Sequence, residues 1–449
     1  MKLSRRQFIG SSSSVVIVAG MKAQGKVFGA NDRVRIATVG FNGRGGSHIK
    51  GFLELSDQGV EVAGLCDVDA NVLEKGGKQV AQASGRAPKL FQDVRDLCAS
   101  KEIDAVTTAT PNHWHSLIAI LGMQGGKDVY VEKPMSHNVW EGRQVVAAAK
   151  KYGRICQHGT QSRSNPRLIR DLKLINSGFI GQIVESRGYV YKNGNRGSIG
   201  RGNPGPVPTN LDWNLWQGPA QEKPFYVKAL GSGGKKQAGM WVPYDWHYNW
   251  EYGNGEIGNQ GVHQMDIACW GHNRGMPIRV HSAGGRFGMD DDGMTPNTQA
   301  TTFAYADGSI VTFEVRNLGS FQEMDGGDSG NSFFGTKGFY VVGKGFFTYK
   351  QGKMTEREAI PVPADAVAEG DGNPFKRFVD ACRSRKQSDA PMSVEDAHVA
   401  CAHCHLGNIA YRVGRSLEFD PKTEKFKEAD SNKYLSRNYR KGFEVPQLA

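Results

Sequence analysis

Apolar and polar positions change period along this chain, and the change marks its parts. Val34–Val39 is a short β-rich run, followed at once by Gly40-Phe-Asn-Gly-Arg-Gly-Gly46 and a helix-compatible stretch at 47–55. A second apolar run, Val60–Cys66, ends at Asp67. Residues 103–109 predict a further strand, which runs into Thr110-Pro-Asn-His-Trp-His115 and a helix at about 116–124. The strand Asp128–Val131 then leads into Glu132-Lys-Pro134, and a helix over Val139–Tyr152 precedes a strand at 154–158. Strands alternating with helices predict a parallel, doubly wound α/β sheet. Ligands in such sheets bind beyond the carboxyl ends of the strands, where Asn42, Asp67, Asn112, Lys133 and Gln161 all fall.

Beyond about residue 156 the pattern shifts to longer loops and strands, at 183–191, 278–287, 298–305, 309–315 and 338–342. Between them lies a glycine- and aromatic-rich insertion, 192–258, ending Trp241-Val-Pro-Tyr-Asp-Trp-His-Tyr-Asn-Trp-Glu-Tyr252. This ending follows neither the strand nor the helix period, so it does not read as core. Aromatic faces stack on sugar C–H faces, while Asp245, His247 and the neighbouring amides can hold hydroxyls. The same residue types also favour an oligomer interface. The segment therefore reads as a substrate wall, with Asp245, Trp246 and His247 as contacts, or as a contact between subunits. The expected organisation is an export signal at 1–30, a nucleotide-binding domain at 31–155, a substrate and oligomerisation domain at 156–415, and a C-terminal arm at 416–449.

The composition narrows the function classes. A chain of 449 residues with 39% hydrophobic and 22% charged content is globular and long enough for about two domains. Formal charge is +11, but Lys2, Arg5, Arg6, Lys22 and Lys26 fall in the first 30 residues, and removing these five leaves +6. Without a dense basic stripe, nucleic acid is disfavoured as the main partner. Ser4-Arg-Arg-Gln-Phe-Ile9 followed by an apolar run at 15–19 reads as a twin-arginine export signal. That run is far short of the roughly 20 residues that cross a bilayer, so the expectation is export to the periplasm or cell surface without stable membrane insertion. Seven scattered cysteines form no disulfide framework. Cys401-Ala-His-Cys-His405 matches a haem-attachment pattern, yet it lies in a helix-like stretch at 394–412, and packing rather than metal binding is expected of it.

The glycine-rich turn carries the first chemistry. Its glycines allow close backbone approach to a pyrophosphate, and the helix that follows offers free N–H groups and a positive dipole end. Asp67, 22 positions after Gly45, would accept bonds from ribose hydroxyls and repel a 2′-phosphate, which favours NAD over NADP. Asn42 replaces the middle glycine of the usual fingerprint and tolerates left-handed backbone geometry.

The ordered set Gly-x-Asn-Gly-Arg-Gly, Thr110-Pro-Asn-x-x-His115, Glu132-Lys-Pro134 and Gly261-x-His263-x-x-Asp266 resembles the Gfo/Idh/MocA oxidoreductase family, over about residues 31–445. Within it, Gly126–Pro134 and 258–266 are similar to an exported branch. The resemblance implies a Rossmann domain followed by an α+β domain with a large, mostly antiparallel open sheet, and NAD(P) and substrate between them. It implies a homodimer or homotetramer, and that Lys133 and His263 work at the substrate hydroxyl. Expected cofactor contacts are Gly40, Phe41, Asn42, Gly43, Arg44, Gly45, Asp67, Thr110, Pro111, Asn112, His115, Glu132, Lys133 and Gln161. Lys133, His263 and Asn259 are the expected catalytic residues; Gln161, Arg163, Asp245, Trp246, His247, Asn259, His263 and Lys133 the substrate contacts.

These residue types suit hydride transfer from a secondary alcohol, which needs a base for the O–H proton and a positive group for the developing alkoxide. Where many relatives have aspartate, this chain has Asn259, which can only orient the histidine or hold a hydroxyl. Asp266 is expected to be a structural partner. Three readings remain open: an NAD-dependent oxidoreductase acting on a sugar or glycoside hydroxyl (C3 among the candidates) with tightly held NAD, a glycosidase that uses bound NAD transiently, and a non-catalytic sugar-binding protein.

Overall fold

The protein is described by a computed structural model over residues 33–192, 198–228, 244–318, 327–350, 353 and 356–449. The twin-arginine segment and Trp241 lie outside these residues.

The first domain is built from β1 (Val34–Val39), α1 (Arg44–Leu53), β2 (Val60–Cys66), α2 (Ala70–Ser84), β3 (Lys89–Phe91), α3 (Val94–Ala99), β4 (Ala105–Thr108), α4 (Asn112–Gln124), β5 (Asp128–Val131), α5 (Val139–Tyr152) and β6 (Cys156–His158). Its six strands run parallel in the order β3-β2-β1-β4-β5-β6. The order reverses at β1, so the crevice at the switch point opens above β1 and β4, where ligands bind in such sheets. Strands buried on both faces read as unbroken apolar runs, as β5 does, every residue of which is buried.

Helix ends follow local chemistry. Asp69 caps α2 by accepting from the N–H groups of Asn71 and Val72, and Gly85 closes it in the left-handed region. Asn138 caps α5 in the same way, with Gly153 at its end. Two expected helices begin earlier than the periodicity placed them: α1 at Arg44 instead of 47, and α4 at Asn112 instead of 116. The early turns carry polar residues that line a cleft, so hydrophobic periodicity passed over them.

The second domain contains α6 (Pro166–Asn176), β7 (Ile183–Tyr191), β8 (Gly202–Pro204), α7 (Trp213–Gln217), β9 (Tyr226–Lys228), α8 (Gly255–Gly258), α9 (Gly261–His272) and the strands β10 (Arg279–Gly285), β11 (Thr298–Ala304), β12 (Ile310–Arg316), β13 (Ser329–Gly335), β14 (Phe339–Val341), β15 (Gly345–Tyr349) and β16 (Arg357–Ile360). They are followed by α10 (Pro374–Ser384), α11 (Val394–Val413), β17 (Leu417–Asp420) and β18 (Lys425–Phe426). Ten strands form one open sheet, β16-β15-β14-β13-β7-β12-β11-β10-β17-β18, antiparallel except at β7–β12. α11 packs against α5, α9 and β10 and so joins the two sheets.

The C-terminal segment extends the large sheet with β17 and β18 and then crosses the body. Arg437 donates to Glu141 Oε1 (3.1 Å), Glu251 O (3.1 Å) and His113 O (2.9 Å) on the way. Among the described residues no helix is long and apolar enough to cross a membrane.

Candidate active site

A cavity of about 460 Å³ runs between the two domains at the carboxyl ends of β1, β2, β4 and β5. At one end it is walled by the turn after β1. Gly40 has φ +70°, and a Cβ there would stand 2.7 Å from Thr110 Cγ2. Gly45 lies beneath the turn and does not line the cavity; a Cβ on it would meet Gly40 O at 2.1 Å, so its lack of a side chain lets the turn close. Gly43 presents bare backbone to the cavity with open space before it. Gly43 also stands at the N-cap of α1, where no side chain caps the helix, so the first amides remain available to an anion.

Asp67 closes this end. Its Oδ2 accepts from Phe41 N (3.1 Å) and its Oδ1 from Asp69 N (3.0 Å). Burial pushes its carboxyl up to about 6, against the pull of these two bonds. Bare glycine backbone, an uncapped helix start and a fixed carboxylate at the end of β2 form the donor and acceptor set that a dinucleotide requires, and NAD fits these residues. Asn42, Arg44, Thr110, Pro111 and Asn112 line the same cavity, as expected. His115 lines it too, but both ring nitrogens face backbone carbonyls, Pro134 O at 2.6 Å and Thr110 O at 2.8 Å. Burial keeps the ring neutral, so it donates to one of the two carbonyls and packs against the other, between the two strand-end loops.

The other end is built on Glu132-Lys133-Pro134, with a cis bond between Lys133 and Pro134. Glu132, Lys133 and Gln161 line the cavity together with Asn259 and His263 from the second domain. Lys133 Nζ donates to Asn259 O (3.0 Å) and to Asn259 Oδ1 (3.2 Å). This corrects one of the two alternatives for Asn259, that it orients the histidine: it holds the lysine, and among the described residues the His263 ring makes no hydrogen bond. Burial, then the nearby Lys133 ammonium, pushes the His263 imidazole down to about 3, so the ring is neutral in the working range and can only accept a proton.

Two other expected substrate contacts are not in the cavity. Arg163 forms a bidentate ion pair with Asp266, with Nη2 to Oδ1 at 2.8 Å and Nε to Oδ2 at 3.0 Å. Both side chains are buried, and the guanidinium also lies over Trp270. One edge of the guanidinium is thus committed to a buried carboxylate away from the cavity, and position after β6 alone could not reveal that partner 103 residues away. Asp266 is the structural partner it was expected to be. Asp245 pairs with Lys228 and likewise does not line the cavity.

The aromatic run divides. Tyr244, Trp246 and His247 line the cavity, with Trp246 and His247 stacked at 3.6 Å. Trp246, Tyr248 and Tyr252 are nonetheless buried with Trp213, Trp216 and Phe225 in a satellite core, which corrects the view that the run is not core. Its residues serve short loop turns, so no strand or helix period appears. The expected motif at 401–405 is packing: His405 Nε2 meets Ser136 Oγ at 3.1 Å, His403 Nε2 meets Tyr305 Oη at 2.7 Å, and Cys401 Sγ accepts from Met135 N at 3.2 Å.

The roof of the cavity is not foreshadowed by any motif. Leu211, Leu215 and Trp216 of the insertion line it beside Asp67 and Asp69. Asn210 O accepts from Ala70 N (2.8 Å), Asp212 N donates to Val68 O (3.0 Å), and Asn210 Nδ2 donates to Asp69 Oδ1 (2.8 Å). Trp114 Nε1 donates to Leu215 O and Trp216 O, both at 3.1 Å, which fixes the roof to α4. The only trace in sequence was the tryptophan density at 213–216.

Residues 34–160 match the Gfo/Idh/MocA oxidoreductase family, NAD-binding Rossmann fold, and residues 167–445 match its C-terminal alpha/beta domain. A "Glycosyl hydrolase family 109 protein" of Shewanella pealeana is 28% identical over 216 residues, 43% of this chain and 47% of that protein. The chain thus spans about half the length of the curated relatives it matches. Among solved structures, the WlbA dehydrogenase of Bordetella pertussis in complex with NADH and UDP-GlcNAcA superposes with a TM-score of 0.63 at 19% identity, covering 88% of this chain and 99% of that one. GenD2 from gentamicin A biosynthesis, in complex with NAD, gives a TM-score of 0.59 at 18% identity, covering 88% and 99%. These likenesses are of fold.

Proposed function

The chain belongs to the Gfo/Idh/MocA oxidoreductase family with its NAD-binding Rossmann domain, and from that premise we propose an exported enzyme that oxidises or reduces a secondary hydroxyl of a sugar or glycoside with a resident NAD. One observation carries this reading. A single cavity holds the glycine-rich turn and Asp67 at one end and Lys133, His263 and Asn259 at the other.

In this reading Gly40 to Arg44 and Asp67 hold the dinucleotide, which supplies a two-electron acceptor or donor for a carbon-bound hydrogen. Lys133 Nζ, aimed by the two oxygens of Asn259, places a positive charge beside the substrate oxygen and stabilises it as an alkoxide. His263, kept neutral by burial and by Lys133, accepts the hydroxyl proton at a ring nitrogen. Trp246 and His247 give the sugar ring an aromatic wall. The roof over Asp67 is bonded to β2–α2 and to α4, which supports a nucleotide that stays bound between turnovers.

The relatives called glycosyl hydrolase family 109 fit a second reading, a glycosidase in which oxidation would be transient and the glycosidic bond cleaved without net redox change. The Ser4-Arg-Arg-Gln-Phe-Ile9 segment supports export by the twin-arginine route to the periplasm or cell surface, and the family resemblance supports a homodimer or homotetramer.

The test is to identify what co-purifies by mass and absorbance, and then to give the protein a panel of free sugars and glycosides. NAD together with a keto-sugar product supports the oxidoreductase, and release of aglycone with no external acceptor supports the glycosidase. Protein without bound nucleotide and inert on every sugar refutes both. Normal export after Arg5→Lys with Arg6→Lys refutes the twin-arginine route.

A further inference from the structure

One carboxylate organises the floor of the cavity, and behind it stands a residue that never reaches the cavity. Glu132 directly follows β5, with its side chain only 4% exposed. Its Oε1 accepts from Arg44 Nε at 2.8 Å, His48 Nε2 at 3.0 Å and Gln161 Nε2 at 3.2 Å. Its Oε2 accepts from Lys133 N at 3.1 Å. Four donors from three separate stretches of chain thus converge on one group. Arg44, Gln161 and Lys133 line the cavity, whereas His48 does not.

His48 sits four residues after Arg44 in α1, on the same helical face, so both reach one acceptor. Its ring is wholly buried, edge-on to Tyr130 at 5.1 Å and to Phe375 at 5.3 Å. An ionised carboxylate only accepts, so Nε2 carries the proton it shares with Glu132. Nδ1 faces Thr107 Oγ1 at 2.5 Å, and that hydroxyl can donate to it. Both ring nitrogens are therefore committed, and the ring cannot turn without orphaning a buried group. Burial pushes the Glu132 carboxyl up, but the His48 bond and the Arg44 and Lys133 charges outweigh it and hold it well below the usual range. The other donors are less constrained: the Arg44 side chain is 42% exposed and can turn to solvent.

We propose that His48 is a positioning residue which, through Glu132, fixes Arg44, Gln161 and the Lys133 backbone on the cavity floor and so sets nucleotide retention and turnover without touching either ligand. The proposal rests on the NAD-dependent reading, because the groups it fixes are those assigned there to cofactor and substrate.

The test uses the holoprotein as purified. Exchange of bound NAD for isotope-labelled NAD is followed by mass spectrometry, alongside turnover and melting temperature, for wild type, His48→Leu, His48→Gln, Glu132→Gln and the double variant His48→Leu/Glu132→Gln. His48→Leu is expected to speed exchange and lower turnover by about 10- to 100-fold each, the scale of a small misplacement of reacting groups. His48→Gln, which keeps a donor for Glu132, should stay within about threefold of wild type, a loss of less than one typical hydrogen bond. In the Glu132→Gln background, His48→Leu should add less than about twofold, since residues acting as one unit are not additive. If His48→Leu fails to fold, His48→Asn, too short to reach Glu132, replaces it with the same expectations. A lowered melting temperature with wild-type exchange and turnover, or additive effects in the double variant, overturns the proposal. Wild type that holds no NAD overturns the functional reading instead, so the two failures are separable.

Discussion

Replacing Asp67 by asparagine should remove a pH-dependent strain from the nucleotide-free protein while making it a poorer NAD binder. The carboxyl sits at the end of β2 with backbone N–H donors from Phe41 and Asp69, yet burial still pushes it up to about 6. A carboxyl whose folded value lies above its unfolded one binds its proton more tightly when folded. Its contribution to stability is complete below the ordinary aspartate range and is lost as pH rises through about 6. At about 1.4 kcal/mol per pH unit, the displacement from the ordinary 3.8 amounts to about 3 kcal/mol of strain in the ionised form. Asparagine has the size of the protonated side chain and carries no charge, so it avoids that strain at every pH, at the constant cost of one of the two backbone bonds, because its NH2 cannot accept. The stability of Asp67→Asn relative to wild type should therefore shift in the variant's favour by about 3 kcal/mol between pH 4 and pH 8, on top of the constant cost of the lost backbone bond. Urea denaturation of nucleotide-free protein at both pH values measures it directly. The NAD side has the opposite sign: losing a charge-assisted bond of about 1.5–3 kcal/mol to a ribose hydroxyl weakens NAD binding by at least about 10-fold and relaxes discrimination against NADP. A stability difference that does not change with pH, or that moves against the variant as pH rises, would refute the reasoning.

Lys133→Ala should lower turnover by at least about 100-fold while bound NAD and melting temperature stay near wild type, the range typical of a positioned acid/base group; unchanged turnover removes Lys133 from the chemistry. Arg163→Leu should cost about 3–5 kcal/mol in urea denaturation, because it strands Asp266 as an uncompensated buried charge. A raised KM with stability intact would instead restore the substrate-contact view of Arg163. Asn259→Asp places a carboxylate at the atom now 3.2 Å from Lys133 Nζ and offsets the ammonium that helps hold His263 down to about 3. The acidic limb of kcat/KM should move to higher pH, and a limb that stays or moves lower shows that the two residues are not coupled.

Much of this protein was determined by short stretches of its sequence. The alternation of apolar runs and helical stretches up to residue 158 required a parallel sheet, and the glycine-rich turn, Asp67 and the Glu132-Lys-Pro134 segment lay at strand ends whatever the rest of the chain did. Such features depend on neighbours a few positions away, so period and spacing expose them. What the tertiary structure decided was which polar groups spend their bonds on each other. Arg163 and Asp266 are 103 residues apart, Lys133 and Asn259 are 126 apart, and Asn210 closes over Asp69 from 141 residues away. An arginine facing a ligand and one buried on an aspartate have the same local sequence; only the partner brought by the fold separates them. The aromatic insertion is the same case, since its rings follow the turns of a satellite core and not the period of any one helix or strand. Burial then set the protonation of Asp67 and His263, while at Glu132 the donors and charges gathered by the fold outweighed it, because the cost of removing a charge from water depends on everything packed around it.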